Sequence, residues 1–482
     1  MKRSQKADCR AVLAMIALLG GCAWPGGAGQ ALPMPSQNRI SSTDPPPHHR
    51  TFAENRAVSQ VAYQKPAGEA DSPQPADLAG DPADPLLGET ELALDLLVAE
   101  VQARNPSIQA ASAAWRAAAE RYPQVVSLDD PMLGGMIGPS SAGMDDGGGW
   151  MVQASQRVPW AGKRPLRGTA AAAEADAMKG DIGDARLRLS EAARTAFYDY
   201  YLARREMEVN ASTRQLVTQF RQVAASKYQV GQATEQDVLQ ADVELASLES
   251  RRTELVRDEH VAAARINTLL HRAADHPLPP PPAELAIPDS LPSAEDLQRA
   301  AIRSRPDLYA LHARIRAEEA AVALACRDYY PDVNLVARYD GFMPEEMRAQ
   351  VGVDINLPIR HARRSAAVRE ASQRVVQRRA EYQARLDQVR YEVQAACARV
   401  EQGRKVVGLY EQKILPAAER SLESALANYT SGKLDFLRLL DTERQLNNQR
   451  ETYFQAIAEY HRRLAELDRV AGQAARLAPA GS

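Results

Sequence analysis

Thiols, thioethers and carboxylates are the side chains here whose type and spacing could do chemistry. The four cysteines are Cys9, Cys22, Cys326 and Cys397. None forms a CxxC pair, and none stands at a zinc-ligand spacing from a histidine. Cys326 and Cys397 read as lone small apolar residues on helices, and a pairing in an oxidising compartment stays open. Met132, Met136, Met144 and Met151 lie close together in sequence. Thioethers bind soft ions such as Cu(I). Membrane-facing or loop methionines account for the same residues more simply, so no metal site is assigned. The eight histidines are scattered, with only His48 and His49 adjacent. No Ser/His/Asp order, phosphate loop or ligand cluster rises above background, which disfavours an enzyme and implies no cofactor.

Cys22 is the exception. Lys2, Arg3, Lys6 and Arg10 precede a short apolar run, Ala11 to Leu19, which ends in Leu19-Gly20-Gly21-Cys22. The run is too short to span a bilayer as a helix. The pattern is similar to a bacterial lipobox, in which the cysteine is diacylated and becomes the mature first residue. Ala23 follows where an inner-membrane retention signal would place Asp. Several acyl chains anchor stably where one does not. Residues 1–21 are therefore expected to be a lipoprotein signal peptide. Residues 22–88, rich in Pro, Gly, Ser and Asp, are expected to be a disordered tether.

Composition narrows the choice of elements that hold these residues. Apolar residues make up 45% of the chain but aromatics only 5%, which suits long helices better than a compact catalytic domain. The formal net charge of −3 offers no basic field for nucleic acid. A helix is expected from Glu91 to Tyr122-Pro123, then strands at about 130–139 and 150–158. A very long helix, 161–230, follows; it breaks at Gly231 and returns from Thr234 to Arg272. After a Pro-rich crossover, 277–292, the order recurs. A helix from Pro306 to Tyr330-Pro331 precedes strands at about 332–340 and 350–357. Another very long helix then breaks at Gly432 and returns from Asp435 to Ala471, leaving a 473–482 tail.

The recurrence shows in the residues. Asn105-Pro106 matches Arg305-Pro306, Tyr122-Pro123 matches Tyr330-Pro331, and Val158-Pro159 matches Leu357-Pro358. Tyr228 to Gly231 matches Tyr429 to Gly432. Two modules, 89–276 and 293–472, each read as helix, hairpin and long helix pair, a unit too long for a solenoid. Val238, Ala241, Leu245, Leu248, Leu255, Ala262, Ile266 and Leu269 fall on one heptad seam, and Leu439, Leu446, Tyr453, Tyr460 and Leu467 on another.

The strands decide whether this is a scaffold or a pore. Val333, Leu335, Ala337 and Tyr339 alternate with polar residues, as do Val351, Val353, Ile355 and Leu357. Pattern alone permits a soluble four-stranded sheet, but nothing nearby is available to cover its apolar face. In a membrane an open sheet leaves edge amides unpaired, so closure needs other chains. Three copies give twelve strands, within the known range.

The chain from about 90 to 472 resembles the TolC family of outer-membrane efflux proteins. The resemblance rests on the duplicated order, Gln156-Arg-Val-Pro-Trp-Ala-Gly-Lys163, the Tyr228 to Leu239 segment and Arg305-Pro-Asp-Leu308. The Pro-Trp-Ala-Gly-Lys segment is similar to the CzcC- and CusC-like lipoprotein branch. The resemblance implies a mainly α fold with a small antiparallel β part, and a homotrimer whose twelve-stranded barrel continues into a coiled-coil helical barrel. It implies a periplasmic adaptor docking at tips formed by Tyr228, Gly231, Tyr429 and Gly432, and an inner-membrane pump of the RND type behind it. Asp237 and Tyr429 match a closed-state latch, although Thr234 to Asp237 also reads as a capping box. Asp441 matches a pore-constriction acid whose acidic companion position is here Arg438, so the ring would be mixed. The alternatives are a type I protein secretion duct and, from another class, a lipid-anchored coiled-coil scaffold without a pore.

Overall fold

The computed structural model describes residue 86 and residues 90–138, 149–288 and 291–472. The signal peptide, Cys22, Met144 and the 473–482 tail lie outside the described residues, as does all of the expected tether except Leu86. Leu86 is buried against the first helix rather than free.

The first module opens with α1 (Leu94–Arg104), α2 (Pro106–Ala119) and α3 (Arg121–Val126). The sequence pattern suggests one helix here. Pro106 divides it, because proline has no N–H to continue the ladder and Asn105 swings to an extended ψ of 125°. The Asn105 side chain then caps α2 by accepting from Ser107 N at 3.0 Å. Pro123 sits inside the first turn of α3 instead of ending a helix.

Strands β1 (Met132–Gly138) and β2 (Gly149–Val158) lead into α4 (Lys163–Gln229) and α5 (Glu235–Leu269). At about 1.5 Å per residue, the 67 residues of α4 extend roughly 100 Å. The second module runs α6 (Ala294–Ser304), α7 (Pro306–Arg327), β3 (Val333–Asp340), β4 (Ala349–Ile355), α8 (His361–Leu409), α9 (Leu415–Thr430) and α10 (Phe436–Val470). A π-helical turn, Tyr410–Ile414, separates α8 from α9 where one helix is expected. Pro416 follows within the next turn, and the stretch from Pro358 to Gly432 is two residues longer than Pro159 to Gly231. A wider turn absorbs one inserted residue without breaking the rod, which accounts for one of the two.

The two modules interlock. α4 packs against α5, α7 and α10, and α8 packs against α7 and α10. The heptad seams are the interior: Ala241, Leu248, Leu255 and Ile266 are buried, as are Leu439, Leu446, Tyr460 and Leu467. The four strands form one antiparallel sheet in the order β1-β2-β3-β4. β2 pairs with β3, so the hairpins of the two modules share a sheet although some 180 residues separate Val152 from its partner Tyr339. Among the described residues, no helix is long and apolar enough to cross a membrane.

Candidate functional site

The sheet is inverted relative to a soluble one. Register places Leu133, Ile137, Trp150, Val152, Leu335, Tyr339, Val351, Val353 and Ile355 on one face, and all of these are exposed. The other face carries Gln153, Ser155, Asn334, Arg338, Asp340 and Gln350, and is the better covered one, with Asp340 fully buried. An outward apolar face over a polar inner one is the pattern of a strand that meets lipid on one side and water on the other. Aromatic pairs mark both ends. Trp150 stacks on Tyr339 at the hairpin end, centroids 5.1 Å apart. Trp160 stacks on Tyr330 at the helix end, centroids 5.5 Å apart. Met132, Met136 and Met151 lie on the polar face, not the lipid-type face that a membrane-facing role requires.

The foot of the sheet is joined to the long helix by a buried clamp. Gly162 takes φ +91°, a left-handed turn that L side chains rarely adopt, and starts α4 at Lys163. The buried Lys163 ammonium donates to Asp332 at 2.8 Å and to the Tyr330 carbonyl at 3.1 Å. Asp332 also accepts from Trp160 N at 3.0 Å and Arg157 Nη2 at 2.9 Å. The Pro-Trp-Ala-Gly-Lys segment is thus a joint between the two modules rather than a reactive site.

The Arg305-Pro-Asp-Leu segment does similar work. Arg305 is buried, grips Asp307 through Nε and Nη2 at 3.0 and 2.8 Å, and donates to Glu392 at 2.8 Å and the Val470 carbonyl at 3.2 Å. Arg385 adds bonds of 2.8 Å to Asp307 and Glu392. Burial alone would raise the Asp307 pKa, but the Arg305 and Arg385 guanidiniums hold it below the usual carboxylate value. The segment ties the α6–α7 turn to α8 and the end of α10.

At the far end, the two turns are near copies. Gly231 and Gly432 adopt φ of +72° and +75°. In each, the glycine N–H bonds the carbonyl three residues back, Tyr228 or Tyr429. The next N–H bonds the one five back, Lys227 or Asn428. This is a Schellman-type ending, and the open space around both glycines leaves the left-handed φ as the reason for the residue. Asp237 closes a capping box, accepting from Thr234 N at 3.3 Å and Thr234 Oγ1 at 3.1 Å.

Tyr429 is buried, and among the described residues its hydroxyl has no hydrogen-bond partner. Burial, then the nearby Asp237 charge, pushes its pKa up to about 12. Asp237 is therefore near Tyr429 but not bonded to it. The contact that does join the tips is Lys227, whose Nζ donates to the Tyr429 carbonyl at 2.6 Å and lies 4.7 Å from its ring centroid. Sequence reasoning missed Lys227, although its place one residue before Tyr228 was the available signal. Tyr228 is about half exposed.

Arg438 and Asp441 share one face of α10, three residues apart. Arg438 is mostly exposed, 3.8 Å from Asp435, and Asp441 lies 3.5 Å from Arg444. Arg444 also pairs with Glu244 across the α5–α10 seam. Beside it Glu443 is buried with Oε2 unpartnered. Burial, then repulsion from Glu244, pushes its pKa up to about 7. His461, stacked on Tyr198 with centroids 5.0 Å apart, is pushed down to about 4 by burial. Cys326 and Cys397 are not joined in a disulfide. Among the described residues, no group of three His, Cys, Asp or Glu side chains could hold a metal ion.

A four-stranded sheet with its apolar face exposed, carried on two interlocked coiled-coil hairpins, is a TolC-like fold. Comparison with solved structures gives the same fold. OprN, an outer-membrane channel, superposes with a TM-score of 0.68 at 21% identity, covering 79% of this chain and 90% of its own. CusC does so with 0.68 at 18% identity, covering 79% and 92%. The cobalt-zinc-cadmium resistance protein CzcC of Cupriavidus metallidurans is 25% identical over 301 residues, 61% of this chain and 69% of that protein. Residues 297–473 match the family model for outer membrane efflux proteins.

Proposed function

We propose that three copies of this chain form the exit duct of a tripartite efflux system, conducting small molecules or metal ions passively through the outer membrane. The observation that carries this reading is the inverted sheet. Its apolar face is exposed, aromatic pairs bracket it, and among the described residues no strand pairs with the outer edges of β1 and β4. In hydrocarbon such edges must be closed, and strands of two further copies close them. β2 has ten residues, the length a tilted membrane strand needs.

On this reading the α4–α5 and α9–α10 turns are the periplasmic tips that meet an adaptor, with Tyr228, Gly231, Tyr429 and Gly432 at their apices. The adaptor links the duct to an inner-membrane pump of the RND type. Asp237 and Tyr429 belong to the closed tip, and Asp441 with Arg438 lines the constriction above it. Cys22 carries the lipid that fixes the protein to the outer membrane. Cargo selection falls to the pump, and the duct does no catalysis. The likeness to CzcC favours metal ions over polypeptides. Conductance of the purified full-length protein in a planar bilayer tests the duct. A protein that inserts and oligomerises yet never conducts is a scaffold, and the reading fails. Deletion that leaves metal sensitivity unchanged removes the metal-ion cargo.

A further inference from the structure

We propose that the charged feet of the sheet's two free edges join neighbouring copies: Arg360 and Arg363, below β4, bind Asp129 and Asp130 of the next copy, below β1. This rests on the oligomeric duct reading and adds a specific seam to it.

Asp129 and Asp130 directly precede Pro131 and β1, and Arg360 and Arg363 follow β4 and Pro358. All four side chains are exposed. Among the described residues, none of the four has an ion-pair partner; Asp129 engages only through its backbone carbonyl, which accepts from Gln156 at 2.7 Å. Arg364, by contrast, is occupied by the Asp328 carbonyl at 2.7 Å. The two feet cannot meet within one chain, because β1 and β4 are three strand spacings apart, roughly 14 Å.

Register fixes where they meet between chains. Met132, Ser155, Val336 and Gly352 are level across the sheet. Closing the barrel without stagger would set Asp130 level with Asp354 of the neighbour, like charge on like. A closed barrel is not flush: a strand tilt of about 35–45° requires a slip of roughly four to six residues per four strands. An odd slip would turn one copy's apolar face inward, so the slip is even.

Its direction follows from the hand of the sheet. Gly341 N–H bonds the Trp150 carbonyl and Asp340 N–H bonds the Arg348 carbonyl. Outward-facing residues of β3 therefore turn their backbone toward β2. For L-residues this puts β2 to the right of β3, seen from the apolar side with the hairpins upward. With the right-handed tilt of twisted strands, the neighbour's Asp130 moves down along the β4 foot, away from Asp354. A slip of four brings it level with Pro358, and a slip of six carries it to the turn beyond Leu357 that leads into α8 and holds Arg360 and Arg363 at the same foot. Both put the acidic pair among the arginines. Such pairs are individually modest, but the seam recurs three times per ring and disfavours the unstaggered register.

The test uses the full chain with Cys326→Ser and Cys397→Ser, keeping Cys22. Asp130→Cys is combined with Arg360→Cys or with Pro358→Cys and treated in membranes with a short bis-maleimide linker. One of the two combinations is expected to give dimer and trimer bands, and no single cysteine variant is. Independently, D129K/D130K and R360E/R363E should each raise the monomer fraction severalfold on dilution in low-salt detergent. All four changes together should restore the trimer. A trimer that links at neither pair and ignores the reversals overturns the seam while leaving the duct standing. A wild-type chain that stays monomeric in membranes overturns the duct itself.

Discussion

Replacing Glu443 by Gln tests whether the buried carboxyl in the α5–α10 seam is a source of pH dependence. Burial, aided by the Glu244 charge, raises the Glu443 pKa from 4.5 to about 7. At 1.36 kcal/mol per unit, this is about 3 kcal/mol per protomer. The sign follows from proton binding. Between pH 4.5 and 7 the folded chain holds a proton on Glu443 that the unfolded chain has released, so stability falls as pH rises. The contribution is fully present below pH 4.5 and lost as pH passes 7. His461 acts in the opposite sense. It stays neutral in the fold down to about pH 4, so its contribution is lost as pH falls below 6.5. His461 is common to both proteins and cancels in their difference. Any fixed gain or loss from the new amide does not vary with pH and cancels as well. Chemical unfolding of the detergent-solubilised protein, followed by far-ultraviolet circular dichroism from pH 4.5 to 8.5, reads the effect. The stability difference between E443Q and wild type is expected to grow in favour of the variant by about 3 kcal/mol from the acid end to pH 8. A difference that is flat across that range refutes the reasoning.

The remaining expectations concern the sheet, the joint and the tips. Val351→Arg should reduce outer-membrane insertion, costing about 2–4 kcal/mol near the bilayer midplane, whereas the adjacent Gly352→Arg, on the polar face with open space for a side chain, should be tolerated. Equal tolerance would show that the faces are assigned the wrong way round. Lys163→Met leaves Asp332 buried with too few partners and should cost about 3 kcal/mol in thermal or chemical unfolding, while Arg157→Met, whose side chain is 55% exposed, should cost under about 1 kcal/mol. Lys227→Met removes the contacts to the Tyr429 carbonyl and ring, and should raise single-channel open probability about tenfold with the trimer intact; an unchanged gate would rule out Lys227 as a tip fastener. Asp441→Asn should move the reversal potential in a salt gradient toward anions because Arg438 remains, and an unmoved potential would place Asp441 outside the constriction.

Much of this was legible because long helices and alternating strands write their periodicity directly into sequence. The heptad positions from Val238 to Leu269 are interior because a helix that repeats every seven residues can bury only one stripe. The turn glycines were legible for a different reason: two copies of one motif align, and both need a left-handed residue. Other features depend on partners distant in sequence and leave no local trace. Asp332 reads as one more polar position on a strand until Lys163, 169 residues away, closes on it. The break at Asn105 was masked by apolar periodicity on both sides of Pro106. The turn at Tyr410 follows from a length mismatch that counting between the matched prolines and glycines of the two modules reveals, but the count does not say where along the helix the extra length is taken up. Alternation gave both faces of the sheet but could not say which one is covered, since that depends on helices packed around its foot.

The polar groups buried along the helices follow from what a long coiled seam lacks. A stripe of aliphatic residues specifies contact but tolerates a slip of one heptad, because every repeat looks alike. Here the stripe is interrupted by layers that do not. The buried Arg194–Asp468 pair joins α4 to α10. Asn210 donates to the Leu248 carbonyl at 3.2 Å, and Thr213 to Asn447 at 2.9 Å. Glu244 pairs with Arg444 beside Glu443. A slip of seven residues would part each of these pairs, and an unpaired buried charge costs several kcal/mol. The layers thus mark register in a tube whose apolar seam alone would leave it ambiguous. A duct that opens at one end must move α5 and α10 at the tips while the body holds its alignment. The layer nearest the tips is the one with a carboxylate oxygen left without a partner. There the Glu443 and Glu244 carboxyls repel one another, so this layer favours parting near the tips.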